Sequence, residues 1–175
     1  MRGLIIIRYS EKWKNWLAHI DEKTCILCKE KHGKIYAVEE KVKPSPPLHL
    51  FCRCRIEKLK SLFAGEATDK GTDGADWHLK YTGKLPEYYI SRMDAKKLRR
   101  NPKNNYLDDS ASGYMLYGGQ YFNRNGHLPE KQGRIWYEAD IDYMSGKRNS
   151  KRILFSNDGL MFITYDHYQT FVEIR

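Results

Sequence analysis

Four side chains in the last third of the chain have the chemistry to cleave a phosphodiester bond. Glu138 carries a carboxylate that can act as a base, and His167 carries an imidazole that can act as an acid. Arg148 and Arg152 carry guanidinium groups, which stay charged and can stabilise the negative charge that develops on a phosphate. Any one of these residues alone is more typical of a charged outer surface, but the four together indicate a catalytic site.

A predicted β-sheet positions these residues. In the stretch 134–141, the even-numbered side chains share one face of a strand and the odd-numbered side chains share the other. The odd face is mostly apolar, so we expect it to be buried, whereas the even face is polar and suits an open binding surface. The turn tripeptide Asn157-Asp158-Gly159 separates two β-rich runs and predicts a hairpin.

The segment before this sheet predicts two helices and a further strand. Residues 76–81 favour a helix, and Ser91-Arg92-Met93-Asp94 is a capping-box pattern that opens a second helix with Arg92 in its first turn. Residues 114–122 favour a strand that two adjacent glycines interrupt, and residues 101–109 read as a polar loop.

Two longer motifs, WYEADIDYMSGKRNSKRIL and TYDHYQTF, resemble the catalytic core of the barnase-like microbial guanyl-specific ribonucleases. The resemblance extends back through KLPEYYISRMDAKKL and FNRNGHLPEKQGRIW and covers about residues 72–175. It implies an α+β fold in which N-terminal helices pack on a twisted antiparallel β-sheet. It also implies a metal-independent endoribonuclease that cleaves single-stranded RNA through a 2′,3′-cyclic phosphate, without a catalytic cofactor.

The resemblance implies a role for each candidate catalytic residue. Glu138 would be the general base and His167 the general acid, while Arg148 and Arg152 would bind the phosphate. Arg92 stands where the family has a lysine that contacts the phosphate region, so the charge is kept while the reach and geometry change.

A loop after the predicted strand at 114–122 matches the loop that reads guanine in the family. Its matching residues are Phe122, Asn123, Arg124 and Asn125. Asn125 stands where the family has an acidic residue, the loop reads as one residue shorter, and Gln120 is nearest to a second, supporting aspartate. We therefore expect a weakened guanine preference. Tyr168 is a candidate for stacking on a base.

All four cysteines lie in the first third of the chain, at Cys25, Cys28, Cys52 and Cys54. A Cys-x-x-Cys knuckle and a second pair from a distant turn can close a tetrahedral cage around zinc, with His49 and His32 as further candidate ligands. Two disulfides or free thiols are the alternatives. Either a zinc ion or disulfides would stabilise a segment that has little core of its own.

The cysteine segment resembles the C-terminal motif of phage Mu F-like head-morphogenesis proteins over about residues 16–56. Such modules are often followed by toxin domains in prophage-borne effectors. We therefore expect a small cysteine-tied module at 1–64, a linker at 65–71 and a barnase-like domain at 72–175.

The residues before the first cysteine predict an amphipathic helix at 11–20. Trp13, Trp16, Leu17 and Ile20 recur at helical spacing, and Ser10 can cap the first turn. We expect this aromatic stripe to face the core.

The net charge of +9 favours a polyanionic partner, here RNA. No apolar run approaches the length of a membrane span or of a classical signal peptide, so we expect an effector delivered by another route to the cytoplasm of a target cell. The family resemblance adds a barstar-like acidic inhibitor. The other hypothesis is an inactive nucleic-acid-binding or phage head-assembly module.

Overall fold

The computed structural model describes residues 7–98, 113–143 and 148–175. The strands are β1 (Arg8–Leu17), β2 (Ile35–Ala37), β3 (Arg55–Leu62), β4 (Tyr89–Ser91), β5 (Met115–Tyr121), β6 (Trp136–Asp140), β7 (Arg152–Ser156), β8 (Met161–Thr164) and β9 (Val172–Ile174). The α-helices are α1 (Ile26–Lys31), α2 (Ala75–Thr82) and α3 (Arg92–Leu98), with a 3-10 turn at Gly71–Asp73. The polar loop predicted at 101–109 lies outside the described residues.

These strands form one mixed sheet, in the order β2-β1-β3-β9-β8-β7-β6-β5-β4. Two neighbouring pairs, β3 with β9 and β4 with β5, run parallel, and the other pairs run antiparallel. The expected α+β class is confirmed, whereas the expected antiparallel sheet is correct only in part. A parallel pair needs a crossover, and the chain between β4 and β5 includes α3.

The helix predicted at 11–20 is wrong, because this stretch belongs to strand β1. Trp13 packs edge-on against Phe162, with ring centroids 6.1 Å apart, whereas Trp16 joins a different cluster with Tyr36. Spacing that fits a helix thus also fits a strand whose two tryptophans enter separate cores. The expected cap, Ser10, accepts from the backbone N–H groups of Lys12 and Trp13 instead, where the pairing of β1 with β3 shifts register.

The locally encoded elements follow the sequence predictions. The α2 helix ends at Gly83 in the left-handed conformation with φ of 72°, and the Ser91 Oγ accepts from the Asp94 N–H at 3.1 Å at the start of α3. Strand β5 shifts register at the predicted glycine pair, and the predicted tripeptide joins β7 to β8.

The two faces of the central strands pack against different parts of the chain. Ala139 and Ile141 of the odd face join Ile153 in a core that also holds Ala75 of α2. On the even face, the predicted open surface is wrong at Trp136, which is buried among Leu154, Phe162 and residues of the first third, and at Asp140, which is also buried. The same face stays accessible further along the strand, at Glu138.

Hydrogen bonds connect the first third of the chain to the residues that follow it. The Asp76 carboxylate accepts from the Gly65 and Ala67 N–H groups at 2.7 and 3.0 Å, which fastens the predicted linker to the start of α2. At the sheet, the Arg175 N–H donates to the Leu62 carbonyl at 2.9 Å. The division into three parts remains a proposal.

Among the described residues, no helix has both the length and the apolar character needed to cross a bilayer.

Candidate active site

An open cleft of about 850 Å³ lies over the even strand face at Glu138. Glu138 of β6, Arg92 of α3 and His167 and Tyr168 from the loop between β8 and β9 all line it. The predicted base-reading loop borders the same cleft, together with Gln120. The structure therefore brings the candidate base, the candidate acid and one candidate phosphate ligand to a single cavity.

The Glu138 carboxylate is held by two partners. The Tyr168 hydroxyl donates to Oε2 at 2.6 Å, and Arg92 Nη2 donates to Oε1 at 3.3 Å. The Glu138 side chain is 14% exposed, so one side of the carboxylate remains reachable. Burial, together with the Glu138 carboxylate that accepts the Tyr168 hydroxyl hydrogen, raises the pKa of Tyr168 well above its ordinary value, which keeps this hydroxyl a donor.

Gly118 makes room for this carboxylate from the neighbouring strand. A Cβ atom at Gly118 would lie 2.6 Å from both Cγ and Oε1 of Glu138. Real Cβ contacts are longer, so any side chain at this position would displace Glu138. From the sequence alone, Gly118 is recognisable only as part of a glycine pair that interrupts a strand. Its contact with Glu138 depends on the pairing of two strands and could not be predicted.

The other two candidate phosphate-binding arginines converge on one buried carboxylate, Asp140. Arg148 Nε donates to Asp140 Oδ2 at 2.7 Å, and its Nη2 donates to Oδ1. Arg152 Nε lies 3.0 Å from Oδ1 as an ion pair, and its Nη1 donates to the carbonyl oxygens of Lys151 and Asn149 at 2.6 and 2.8 Å. Asp140 is 1% exposed, so it organises the arginines from beneath.

The two arginines differ in what they can still reach. The Arg148 side chain is 28% exposed, whereas that of Arg152 is 4% exposed. The hydrogen bonds to Asp140 raise the pKa of Arg148, and the negative charge of Glu138, the candidate base, adds to the effect. Sequence reasoning missed Asp140, although it lies two residues after Glu138 on the same strand face.

The loop that carries His167 is ordered by the Asp166 carboxylate. This carboxylate accepts from the Thr164 hydroxyl and from the backbone N–H groups of Gln169 and Thr170. Burial alone would raise the pKa of Asp166, but the hydrogen bonds outweigh it and lower the pKa. The His167 backbone has φ of 60°, its N–H donates to the Ser150 carbonyl at 3.1 Å, and its side chain is exposed at the cleft.

The base-reading loop divides into one structural residue and three exposed ones. Asn123 is 6% exposed, and its side-chain amide bonds both the carbonyl and the N–H of Leu128, at 2.9 and 3.0 Å. Phe122, with the Arg124 guanidinium carbon 5.9 Å from its ring centroid, is exposed to solvent, as is Asn125. Asn123 therefore shapes the loop, whereas the other three are free to face a ligand.

The Tyr168 ring stacks on Tyr121, with centroids 5.4 Å apart and an interplanar angle of 21°. One face of the predicted base-stacking ring is therefore already occupied by protein.

A second candidate site brings the four cysteines together. Cys25 and Cys28 Sγ lie 3.2 and 3.4 Å from His49 Nε2, and Cys28 and Cys52 Sγ lie 3.8 Å apart. Cys54 belongs to the same cluster, and all four cysteines are thiols in this structure. His49 Nδ1 lies 2.8 Å from the Leu50 carbonyl, an orientation that turns Nε2 toward the sulfurs.

The donor atoms form two groups that share Cys28, one with Cys25 and His49 and one with Cys52 and Cys54, and the atoms of each group lie within 4.8 Å of one another. Sulfur and imidazole donors of this kind suit a tetrahedral zinc ion. The other candidate ligand, His32, is elsewhere: its Nδ1 accepts from the Ala18 N–H at 3.0 Å, and it lines the cleft that also holds Glu138.

Most of the chain is similar in sequence to known proteins. The family model described as ribonuclease matches residues 72–175. The chain belongs to the ribonuclease family. It is 42% identical over 101 residues to a ribonuclease of Heyndrickxia coagulans, a match that covers 58% of this chain and 92% of that protein. It is also 42% identical over 101 residues to a ribonuclease of Bacillus intermedius, covering 62% of that protein.

The first third of this ribonuclease-family chain has a resemblance of its own. Residues 8–57 match the model described as phage Mu protein F like protein. That match takes in strands β1 and β2, helix α1 and the cysteine cluster, and it ends within β3.

We predict that Gly118→Ala lowers ribonuclease kcat by about tenfold to a hundredfold, because the added methyl group displaces the candidate base. The thermal midpoint should change little, since the Glu138 side chain can shift. Steady-state kinetics on an RNA substrate measure the loss. In a double-mutant cycle, Gly118→Ala should cost almost nothing further in a Glu138→Gln background. Equal losses in both backgrounds would show that Gly118 acts independently of Glu138.

Proposed function

We propose that this protein is an endoribonuclease that cleaves single-stranded RNA by transphosphorylation through the 2′-oxygen. The observation that supports the proposal most strongly is the shared cleft, in which a carboxylate held by Tyr168 and Arg92 faces the same space as the exposed His167 imidazole. Most residues that line the cleft, Glu138 and His167 among them, belong to the part of the chain that matches the ribonuclease family. The barnase-like arrangement of helices on the sheet is part of this proposal.

The reaction uses these groups in two steps. Glu138 removes the 2′-hydroxyl proton, the 2′-oxygen attacks phosphorus, and His167 protonates the departing 5′-oxygen. The resulting 2′,3′-cyclic phosphate is then hydrolysed with the roles reversed: His167 activates water and Glu138 returns the proton to the 2′-oxygen. Each positioned proton-transfer group contributes about 10²–10⁴-fold to the rate.

Fixed positive charge stabilises the pentacoordinate phosphorus. Arg92 contacts the carboxylate at the cleft, and Arg148 is anchored on Asp140 with part of its guanidinium exposed. Guanidinium groups that are already held in place cost little reorganisation when negative charge develops on the phosphate. We assign Arg152 to the same phosphate site, where its ion pair with Asp140 and its burial favour an indirect contribution through the position of Arg148.

We predict that Glu138→Gln and His167→Ala each reduce cleavage of a fluorogenic RNA, assayed in EDTA, by about 10²-fold or more. Matched controls are Glu39→Gln and His19→Ala, which change exposed residues outside the cleft and should leave turnover near the wild-type rate. Turnover that persists in either folded active-site variant would contradict the assignment. RNA binding without any cleavage by the wild type would favour the inactive binding module instead.

We further propose that Cys25, Cys28, Cys52 and Cys54, with His49 as an alternative ligand, hold a structural zinc ion. Their donor types and their proximity support this. Zinc would tie α1 to the segment before β3 and so stabilise the first third of the chain.

Elemental analysis of the purified protein should find about one zinc per chain, and Cys28→Ser should lose most of it. His78→Ala, a histidine of α2 away from the cluster, serves as the control. Addition of EDTA should lower the thermal midpoint of the wild type. A folded protein with four titratable thiols, no zinc and no response to added zinc would rule the proposal out.

Base selectivity depends on the exposed part of the base-reading loop. A carboxylate can accept two hydrogen bonds from guanine, whereas Asn125 offers one neutral carbonyl oxygen. The difference corresponds to about 1–2 kcal/mol, or about tenfold in discrimination.

We predict that the dinucleotide GpX is preferred over ApX only modestly, and that Asn125→Glu raises the GpX/ApX ratio of initial rates about tenfold. The control is Asn157→Gln at the distant hairpin turn, which should leave the GpX/ApX ratio unchanged. A strong guanine preference in the wild type would contradict the role given to Asn125.

We also propose that the protein acts as a toxin effector in the cytoplasm of a target cell and is restrained by an acidic, barstar-like inhibitor. The net charge of +9 and the cationic Arg92 and Arg124 at the cleft support an acidic partner.

A further inference from the structure

The first third of the chain, which lies outside the part that matches the ribonuclease family, forms one wall of the cleft. Lys29 of α1, His32 just after it and Ile20 line the cleft together with Glu138 and His167. A smaller adjoining cavity of about 530 Å³ lies between Lys29 and Glu30 on one side and Asn125 and His127 on the other. The base-reading loop is therefore flanked by α1.

Close backbone contacts hold this wall against the loop between β8 and β9, which carries His167. A Cβ atom at Gly33 would lie 1.9 Å from the Gln169 carbonyl oxygen, two residues after His167, so the two segments touch where only glycine fits. The His127 ring nitrogens lie 3.4 Å from the Glu30 carbonyl and 3.3 Å from the Tyr168 carbonyl. The wall is thus held against the loop that carries His167 and against His127, which follows the base-reading loop.

The two polar side chains of the wall present donors to the cleft. Because His32 Nδ1 accepts the Ala18 N–H, the hydrogen of its neutral ring resides on Nε2, which is then a donor. Burial lowers the pKa of His32, which favours that neutral form. Lys29 is exposed, and it forms no ion pair with the residues that the structure describes.

We propose that Lys29 and His32 form an additional RNA subsite, which binds a backbone phosphate next to the nucleotide that is cleaved. The inference rests on the proposed function and extends it, because the added wall makes substrates longer than a dinucleotide better substrates. Phosphate is the group that suits the site, since an ammonium and an N–H donor offer hydrogen bonds and no acceptor. The occupant is the RNA strand because the wall is continuous with the catalytic cleft.

The test compares a dinucleotide with tetranucleotides extended on the 5′ side or on the 3′ side. In the wild type, kcat/KM should be higher for one of the two tetranucleotides, which also identifies the side on which the subsite lies. In Lys29→Gln the ratio of kcat/KM for that tetranucleotide to kcat/KM for the dinucleotide should fall by roughly tenfold, mainly through KM. The slope of log KM against log salt concentration should also decrease by about 0.7.

Two further variants keep the test specific. Lys58→Gln removes an exposed lysine of β3 in the same third of the chain and should leave the ratio unchanged. His32→Asn keeps an acceptor for the Ala18 N–H and should lower the ratio in the same direction as Lys29→Gln, with its fold checked by thermal denaturation.

Failure of this inference differs from failure of the proposed function. A wild type that cleaves all substrates, with ratios that Lys29→Gln does not alter, would overturn the subsite alone. A wild type that cleaves none would overturn the proposed function. In that case, fluorescence anisotropy with a labelled deoxytetranucleotide still decides the subsite, because weaker binding by Lys29→Gln than by Lys58→Gln supports it and equal binding refutes it.

Discussion

The structure depends on the packing of the first third of the chain against one face of the central strands. Trp136 and Phe162 are buried there beneath Trp13, and this contact removes apolar surface from water where an isolated sheet would leave it exposed. Glu138, on the same strand face, keeps part of its side chain exposed, and the first third supplies Lys29 and His32 to one side of the cleft beside it. The packing that stabilises the protein therefore also sets the boundary of the cleft.

Around the cleft, the charged groups are organised by two carboxylates, the buried Asp140 and the half-buried Asp166. Asp140 holds two guanidinium groups, and Asp166 holds the loop that carries His167. A buried carboxylate without such partners would be strongly destabilising, so each acid and its partners form a unit. Such units hold the candidate catalytic side chains in place without a ligand, which is what electrostatic stabilisation of a transition state requires.

The sequence predicted those features that short-range signals encode. The hairpin at residues 157–159 and the capping box at Ser91 follow from turn and cap chemistry, and the placement of Glu138 and His167 in one site followed from a family resemblance. Trp13 was placed on a helix because its spacing suits either element, and only pairing with distant strands decides between them. Asp140 and Lys29 were missed because their roles depend on which residues meet after folding.

The central claim is that Glu138 and His167 transfer protons in a reaction through the 2′-oxygen. Phosphorus-31 NMR of a GpX dinucleotide, incubated with the protein in EDTA, tests it most directly. The account predicts that a 2′,3′-cyclic phosphate accumulates first and is then converted to a 3′-phosphate. Products that carry a 5′-phosphate without a cyclic intermediate would contradict it, because they require attack by water rather than by the neighbouring hydroxyl.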